Sequence, residues 1–222
     1  MTLSLFGDPK PPTVPGIDLR CCDVAEILAE ARGARLVHAD PPWAYQNAGC
    51  RGNAADEYAT TTDNEWIASI VGQSFKGASD HAYLLVWCTW PKLAEWMGVH
   101  GSMSWRYVSG GSWHKTGGLG VGFHLRGDSE PWLLYVKGTP KPSGFLRNAW
   151  TAPRTNHSEK PMGPLCDAVS ALCPRAGLVL DLFAGLAPMA RACHATGRRY
   201  IGAEIDPDRH HQAMCRLALA RE

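Results

Sequence analysis

No stretch of this sequence carries the ~20 successive apolar residues that a bilayer-crossing helix requires, so no membrane span is expected. The opening, MTLSLFGDPKPPTVPG, lacks the basic start and long apolar run of a secretory signal, and a cytoplasmic location is the expectation. Charge of one sign is lacking too. Lys and Arg number 22 against 21 for Asp and Glu, and the net charge of +1 neither demands nor forbids a nucleic-acid partner. The eight cysteines include no C-x-x-C pair. Cys21 and Cys22 are adjacent and the others are scattered singly, so tetrahedral ligation has no local seed and no metal is expected. Neither a phosphate-loop G-x-x-x-x-G-K-[ST] nor the G-x-G-x-x-G dinucleotide fingerprint occurs, which disfavours NAD. Helix-turn-helix and zinc-finger patterns are also absent, so there is no separate recognition module.

What is present is a regular alternation of apolar strand-like and amphipathic helix-like segments. The 222 residues suit one domain over 17–222, preceded by a proline-rich arm at 1–16 that contains DPKPPTVPG. Strands are expected at IDLRCCD, ARLVHA, HAYLLVW, GLVLDLFAG and RRYIGAEID. Helices are expected over VAEILAEARG, from a Thr62/Glu65 capping box to about residue 72, over PKLAEWMGV, over 163–173, up to Thr196, and from Pro207 onward. Residues 102–137 read as aromatic, glycine-rich strands. Strands alternating with helices imply an α/β doubly wound, Rossmann-like sheet.

Two glycine clusters carry different weight. GGLGVG at 117–122 has no long helix after it and reads as a flexible substrate-side loop. LDLFAG at 180–185 ends a strand and opens a helix, where open α/β sheets bind ligands. About twenty residues later Glu204 ends the next strand, at a distance suited to ribose hydroxyls. Together they suggest an adenosine-type cofactor; capping and loop solvation are the alternative for Asp181 and Glu204.

A buried-type strand, LVHA, then ends abruptly in Asp40-Pro41-Pro42-Trp43. The two prolines stiffen the turn and remove competing donors. A carboxylate at Asp40 and the Pro41 carbonyl can accept the two hydrogens of an exocyclic amine, and Trp43 can offer a face to an unstacked base; an ordinary strand-ending turn around a buried tryptophan is the other reading. With the glycine turn, this resembles the S-adenosylmethionine-dependent amino-methyltransferases, which place an acid-Pro-Pro-aromatic motif after a central strand. The chain looks most like the branch holding the messenger-RNA adenosine N6-methyltransferases and their bacterial and phage DNA-methylating relatives. CCDVAEIL…ARLVHADPPW, YATTTDNEW, YLLVWCTWPKLAE, VSGGSWHKT and APRTNHSEKP all carry the likeness, which spans about residues 17–216. FAGLAPMA is closer to the DNA-methylating relatives, although Ala187 stands at their second glycine.

The resemblance implies a class I methyltransferase sheet, circularly permuted so that the catalytic turn precedes the glycine turn. It implies that Asp23, with Val24 beside it, meets the cofactor's adenine, that Lys160 pairs with its methionine carboxylate, and that Asp181, Phe183, Gly185 and Glu204 shape the rest of its pocket beside Asp40. Asn156, His157 and Ser158 would support Lys160, with a purely structural His157 equally open. The expected substrate is DNA, with RNA or a non-catalytic scaffold subunit as alternatives, and a homodimer or a heteromeric partner is compatible with the likeness. Tyr45, Arg51 and Tyr58 in one loop, and Trp113, Lys115 and Arg126 in the glycine-rich segment, combine basic and aromatic groups suited to phosphate contact and base stacking. A surface hairpin with packed aromatics is the other reading of that second segment.

Overall fold

The computed structural model describes residues 14–30, 32–44, 61, 63–117, 124–154 and 159–219. The elements run β1 (Ile17–Cys21), α1 (Val24–Leu28), β2 (Ala34–Ala39), α2 (Asn64–Gly77), β3 (Ala78–Trp87), α3 (Trp90–Val99), β4 (Arg106–Thr116) and β5 (Ser129–Lys137). They continue with β6 (Ala149–Pro153), α4 (Met162–Leu172), β7 (Leu178–Asp181), α5 (Pro188–Thr196), β8 (Arg199–Glu204) and α6 (Pro207–Leu219). A short 3-10 turn, His100–Ser102, links α3 to β4.

All eight strands join one sheet in the order β1-β8-β7-β2-β3-β5-β4-β6. The first five in that order are mutually parallel. β5 is antiparallel to both β3 and β4, and β6 closes the far edge parallel to β4. The central strand β2 is almost wholly buried, as its run of Ala, Leu, Val and His predicts for a parallel strand covered on both faces. One face packs on α1, α2 and α3 through residues such as Ile27, Ile67, Val71 and Trp96. The other packs on α4, α5 and α6 through Leu165, Val169, Met189 and Leu217. The chain is therefore a three-layer α/β structure. Its last two parallel strands, β7 and β8, lie between β1 and β2.

Several local expectations change. The first helix stops at Leu28 instead of continuing over the following residues; its start is a capping box between Asp23 and Glu26. The cap of α2 is Asp63, whose side chain accepts from the Trp66 amide, so the box expected at Thr62 and Glu65 is displaced; Thr62 lies outside the described residues. α2 extends to Gly77, beyond the expected end near 72. β6 has no counterpart among the strands expected from sequence. Residues 1–13 of the arm and most of GGLGVG lie outside the described residues, while Val14 is buried against the sheet.

Candidate active site

The C-terminal ends of β1, β8, β7 and β2 lie side by side, and each presents an acid at or just past its last residue: Asp23, Glu204, Asp181 and Asp40. β7 and β2 are register neighbours, and Leu182 N donates to His38 O at 3.0 Å, which joins the glycine turn to the catalytic-type turn. Open α/β sheets hold ligands at such a row.

Asp40 leaves β2 with about a quarter of its side chain exposed and accepts from Lys160 Nζ at 2.7 Å. The same ammonium reaches Glu130 Oε1 at 2.9 Å, and Glu130 Oε2 accepts from Lys115 at 2.7 Å. Four alternating charges thus form a line from β4 through β5 and residue 160 to the end of β2. Burial works against the charged form of Glu130, but Lys160 and Lys115 outweigh it and hold this carboxyl below its ordinary value. Asp40 shares a single lysine, and burial pushes its carboxyl up. Lys160 loses hydration, yet the two acids around it hold its ammonium above the ordinary value. The ammonium also stands 5.1 Å over the ring of Trp87. Next to it, Glu159 is buried in ion pairs with Arg191 of α5 and Arg216 of α6, which anchors the backbone that carries Lys160.

The Pro-Pro turn is tightly held. Trp43 N donates to Pro41 O at 2.8 Å, Thr61 N to Pro42 O at 2.9 Å, and Ala44 N to Thr61 O at 3.0 Å. The Pro41 carbonyl keeps a second lone pair for a substrate donor. Trp43 corrects its expectation: it is 4% exposed, packs edge-on against Trp96 at 5.7 Å and donates Nε1–H to Trp87 O at 3.3 Å. Its ring is a core group and presents no stacking face.

At the glycine turn Gly185 adopts φ +55°, and its amide donates to Glu204 Oε2 at 2.7 Å. A Cβ here would meet Arg209 Nη2 at 3.2 Å, and the positive φ itself favours glycine. Glu204 Oε1 accepts from Asp206 N at 2.9 Å, which leaves carboxylate lone pairs for hydroxyl donors. The partly buried Phe183 lies 6.3 Å from Trp66, a half-exposed residue in the first turn of α2 that sequence reasoning had not singled out. Asp23 Oδ1 accepts from Ala25 N at 2.8 Å and Val24 is buried beside it, so both stand at the pocket end of β1.

Three further expectations are corrected. Asp181 is wholly buried, and its oxygens accept from His38 Nδ1 at 2.7 Å and the Tyr200 hydroxyl at 2.9 Å; it braces the sheet and offers nothing to a cofactor. Trp113 is 2% exposed and donates to Ala152 O at 3.0 Å. Lys115 is committed to Glu130, with its ammonium 4.9 Å over Trp113. Both belong to the inner face of β4, the packed-hairpin alternative. Arg126 is exposed. Tyr45, Arg51, Tyr58, Asn156, His157 and Ser158 lie outside the described residues. Among the described residues no group of three His, Cys, Asp or Glu side chains is placed to hold a metal ion, and no helix is long and apolar enough to cross a membrane.

This sheet order, with the glycine turn and the acid-Pro-Pro turn on adjoining central strands, is the class I methyltransferase fold. Comparison with solved structures bears this out. The chain is similar to M1.HpyAVI in its SAM complex, with a TM-score of 0.71 at 17% identity over 90% of this chain and 98% of that one. TTHA0409 from Thermus thermophilus, which carries the provisional description DNA modification methylase, gives 0.71 at 20% identity over 91% and 94%. The cytosine-N4-specific PvuII DNA methyltransferase gives 0.68 at 14% over 93% of each chain. No protein-family model and no curated protein sequence matches.

Proposed function

We propose that this chain is an S-adenosylmethionine-dependent methyltransferase that modifies the N6 exocyclic amine of adenine in DNA. One observation carries the reading: Asp40, at the end of β2 in a rigid Pro-Pro turn, is gripped by Lys160 one strand away from the Gly185–Glu204 turn. Among the similar structures, PvuII is named a DNA methyltransferase and M1.HpyAVI is solved with SAM, which supports the substrate class and the cofactor. The motif order, catalytic turn first, supports a circularly permuted arrangement.

The residues present fit the cofactor. Gly185 holds the turn at a positive φ that favours glycine, and Glu204 and Asp23, at the ends of neighbouring strands, carry acceptor oxygens for ribose and adenine donors. Phe183 supplies an apolar wall. Lys160 uses two of its N–H groups on Asp40 and Glu130, which leaves a third for a carboxylate. When bound, S-adenosylmethionine supplies an electrophilic methyl group.

The chain's own part is orientation and charge. Adenine's amine is a weak nucleophile because its lone pair is spread into the ring. Asp40 and the Pro41 carbonyl accept its two N–H bonds and turn the lone pair outward. The Asp40 carboxylate favours the positive charge that develops on the nitrogen. A carboxyl raised by burial is also a better acceptor for the proton the nitrogen then sheds. Exposed Arg126, and Tyr45, Arg51 and Tyr58, are proposed to meet the nucleic acid.

The test is incubation with labelled S-adenosylmethionine and matched DNA and RNA oligonucleotides, followed by mass spectrometry of the nucleosides. N6-methyladenine in DNA is the expected product. Label only in RNA would move the substrate, N4-methylcytosine would move the target atom, and no transfer to any nucleic acid would overturn the proposal.

A further inference from the structure

Below the charged line runs a second buried network that the proposed chemistry does not use. It crosses four adjacent strands obliquely, with His38 and Asp181 in register and Tyr200 and Trp87 two residues to either side of that row. The Tyr200 hydroxyl (β8) donates to Asp181 Oδ2 (β7) at 2.9 Å, and Asp181 Oδ1 meets His38 Nδ1 (β2) at 2.7 Å. His38 Nε2 meets Trp87 Nε1 (β3) at 3.1 Å. All four side chains are essentially excluded from solvent.

The donor inventory leaves one assignment. An indole only donates, so His38 Nε2 accepts, and the ring proton sits on Nδ1 and donates to Asp181. Burial, reinforced by the Asp181 charge, raises the Tyr200 phenol well above its ordinary value and keeps it a donor. Gly202 contributes by absence: a Cβ there would run into the Tyr200 ring and hydroxyl. An apolar residue in place of His38 would leave the buried Asp181 carboxylate and the Trp87 indole N–H without this partner, so what His38 supplies here is polar satisfaction and not packing alone.

Trp87 is where this network meets the catalytic turn. Its ring face lies under the Lys160 ammonium, and its backbone carbonyl accepts from Trp43 of the Pro-Pro turn. The ring also meets Trp113 at 6.3 Å and Trp150 at 5.6 Å, both edge-on, and its N–H is taken by His38.

We propose that His38 is a positioning residue: by holding the Trp87 indole N–H it sets the ring face that seats Lys160, and so aligns the Lys160–Asp40 pair. The proposal rests on the functional reading above, which gives Lys160 and Asp40 their roles.

The experiment compares the full chain with His38→Leu, His38→Gln and Trp87→Phe, singly and with His38→Leu and Trp87→Phe combined. Turnover, S-adenosylmethionine affinity by calorimetry and the Trp87 indole N–H resonance by NMR are read on the folded protein. His38→Leu should lower turnover roughly ten- to a hundredfold, the scale of a small misplacement at a reacting centre, and weaken the cofactor. It should also move the indole resonance. Gln offers both an acceptor and a donor, and should restore most of the turnover and the resonance. In the Trp87→Phe background, where the N–H is gone and a ring face remains, His38→Leu should add little. Additive losses, or unchanged turnover and affinity with only a lower melting temperature, would overturn the proposal. If His38→Leu does not fold, His38→Gln and Trp87→Phe decide: a Trp87→Phe variant with full turnover overturns it. Should the wild type transfer no methyl group, the functional reading fails, while the resonance still reports whether His38 holds Trp87.

Discussion

Replacing Glu130 by Gln isolates the weight of the charged line. Glu130 is the acid that both Lys115 and Lys160 share, and little of either lysine reaches solvent. Removing one partner of a fully buried pair costs roughly 3–5 kcal/mol. Gln keeps an acceptor oxygen but turns an amide donor toward an ammonium, and Lys115 retains 18% exposure, so about 2–4 kcal/mol is expected here. For a domain of this size that is a fall in Tm of roughly 5–15 °C, read by scanning calorimetry at neutral pH. The acid limb supplies a second readout. A carboxyl held below its ordinary value contributes stability that is present above the unfolded value of about 4.3 and is lost as pH falls through the lower folded value. Glu130→Gln should therefore flatten the loss of stability below about pH 4. Turnover should fall as well, because Lys160 is left to Asp40 alone. A Tm within about 1 °C of wild type, with an unaltered acid limb, would show that the line carries no net stabilisation and refute the reasoning.

Asp40→Ala should abolish methyl transfer while cofactor affinity measured by calorimetry stays within a few-fold; residual full activity would remove Asp40 from the chemistry. Gly185→Ala forces a side chain into positive φ against Arg209, at a cost of about 1–2 kcal/mol in the melting curve and with weakened S-adenosylmethionine binding. Trp113→Ala should behave as a core deletion costing about 3–5 kcal/mol, with unchanged nucleic-acid affinity of the folded fraction in an anisotropy titration. A selective loss of DNA binding by that variant would restore the surface role assigned to it from sequence.

The strand–helix alternation was legible because parallel strands buried on both faces leave continuous apolar runs such as LVHA and YLLVW. The pairing of Gly185 with Glu204 was legible from spacing alone, and the structure joins the two by a hydrogen bond. Side-chain direction in β4 was not. Trp113 and Lys115 share one face of the strand, and a period of two cannot say which face a neighbouring sheet element covers. Glu130 was one acid within a segment read only as strand-like, and only the fold brings two lysines to it from other segments. His38 stood beside the acid-Pro-Pro motif as the one polar residue of the run LVHA, yet its partners, Asp181 and Trp87, come from two other strands. β6 ends in proline and has only five residues, too few for a periodic signal.

The placement of β7 and β8 between β1 and β2 also bears on how the molecule is made. As the chain leaves the ribosome, β2 and β3 can pair early, but β8, the partner of β1, and β7, the second partner of β2, follow only after β3, β4, β5 and β6. Until then the nascent sheet keeps a two-strand gap with open hydrogen-bonding edges on either side, a template for mispairing with other chains. Closure of that gap is also the step that brings Gly185 and Glu204 beside Asp40, so the proposed site is assembled only once β7 and β8 have been made.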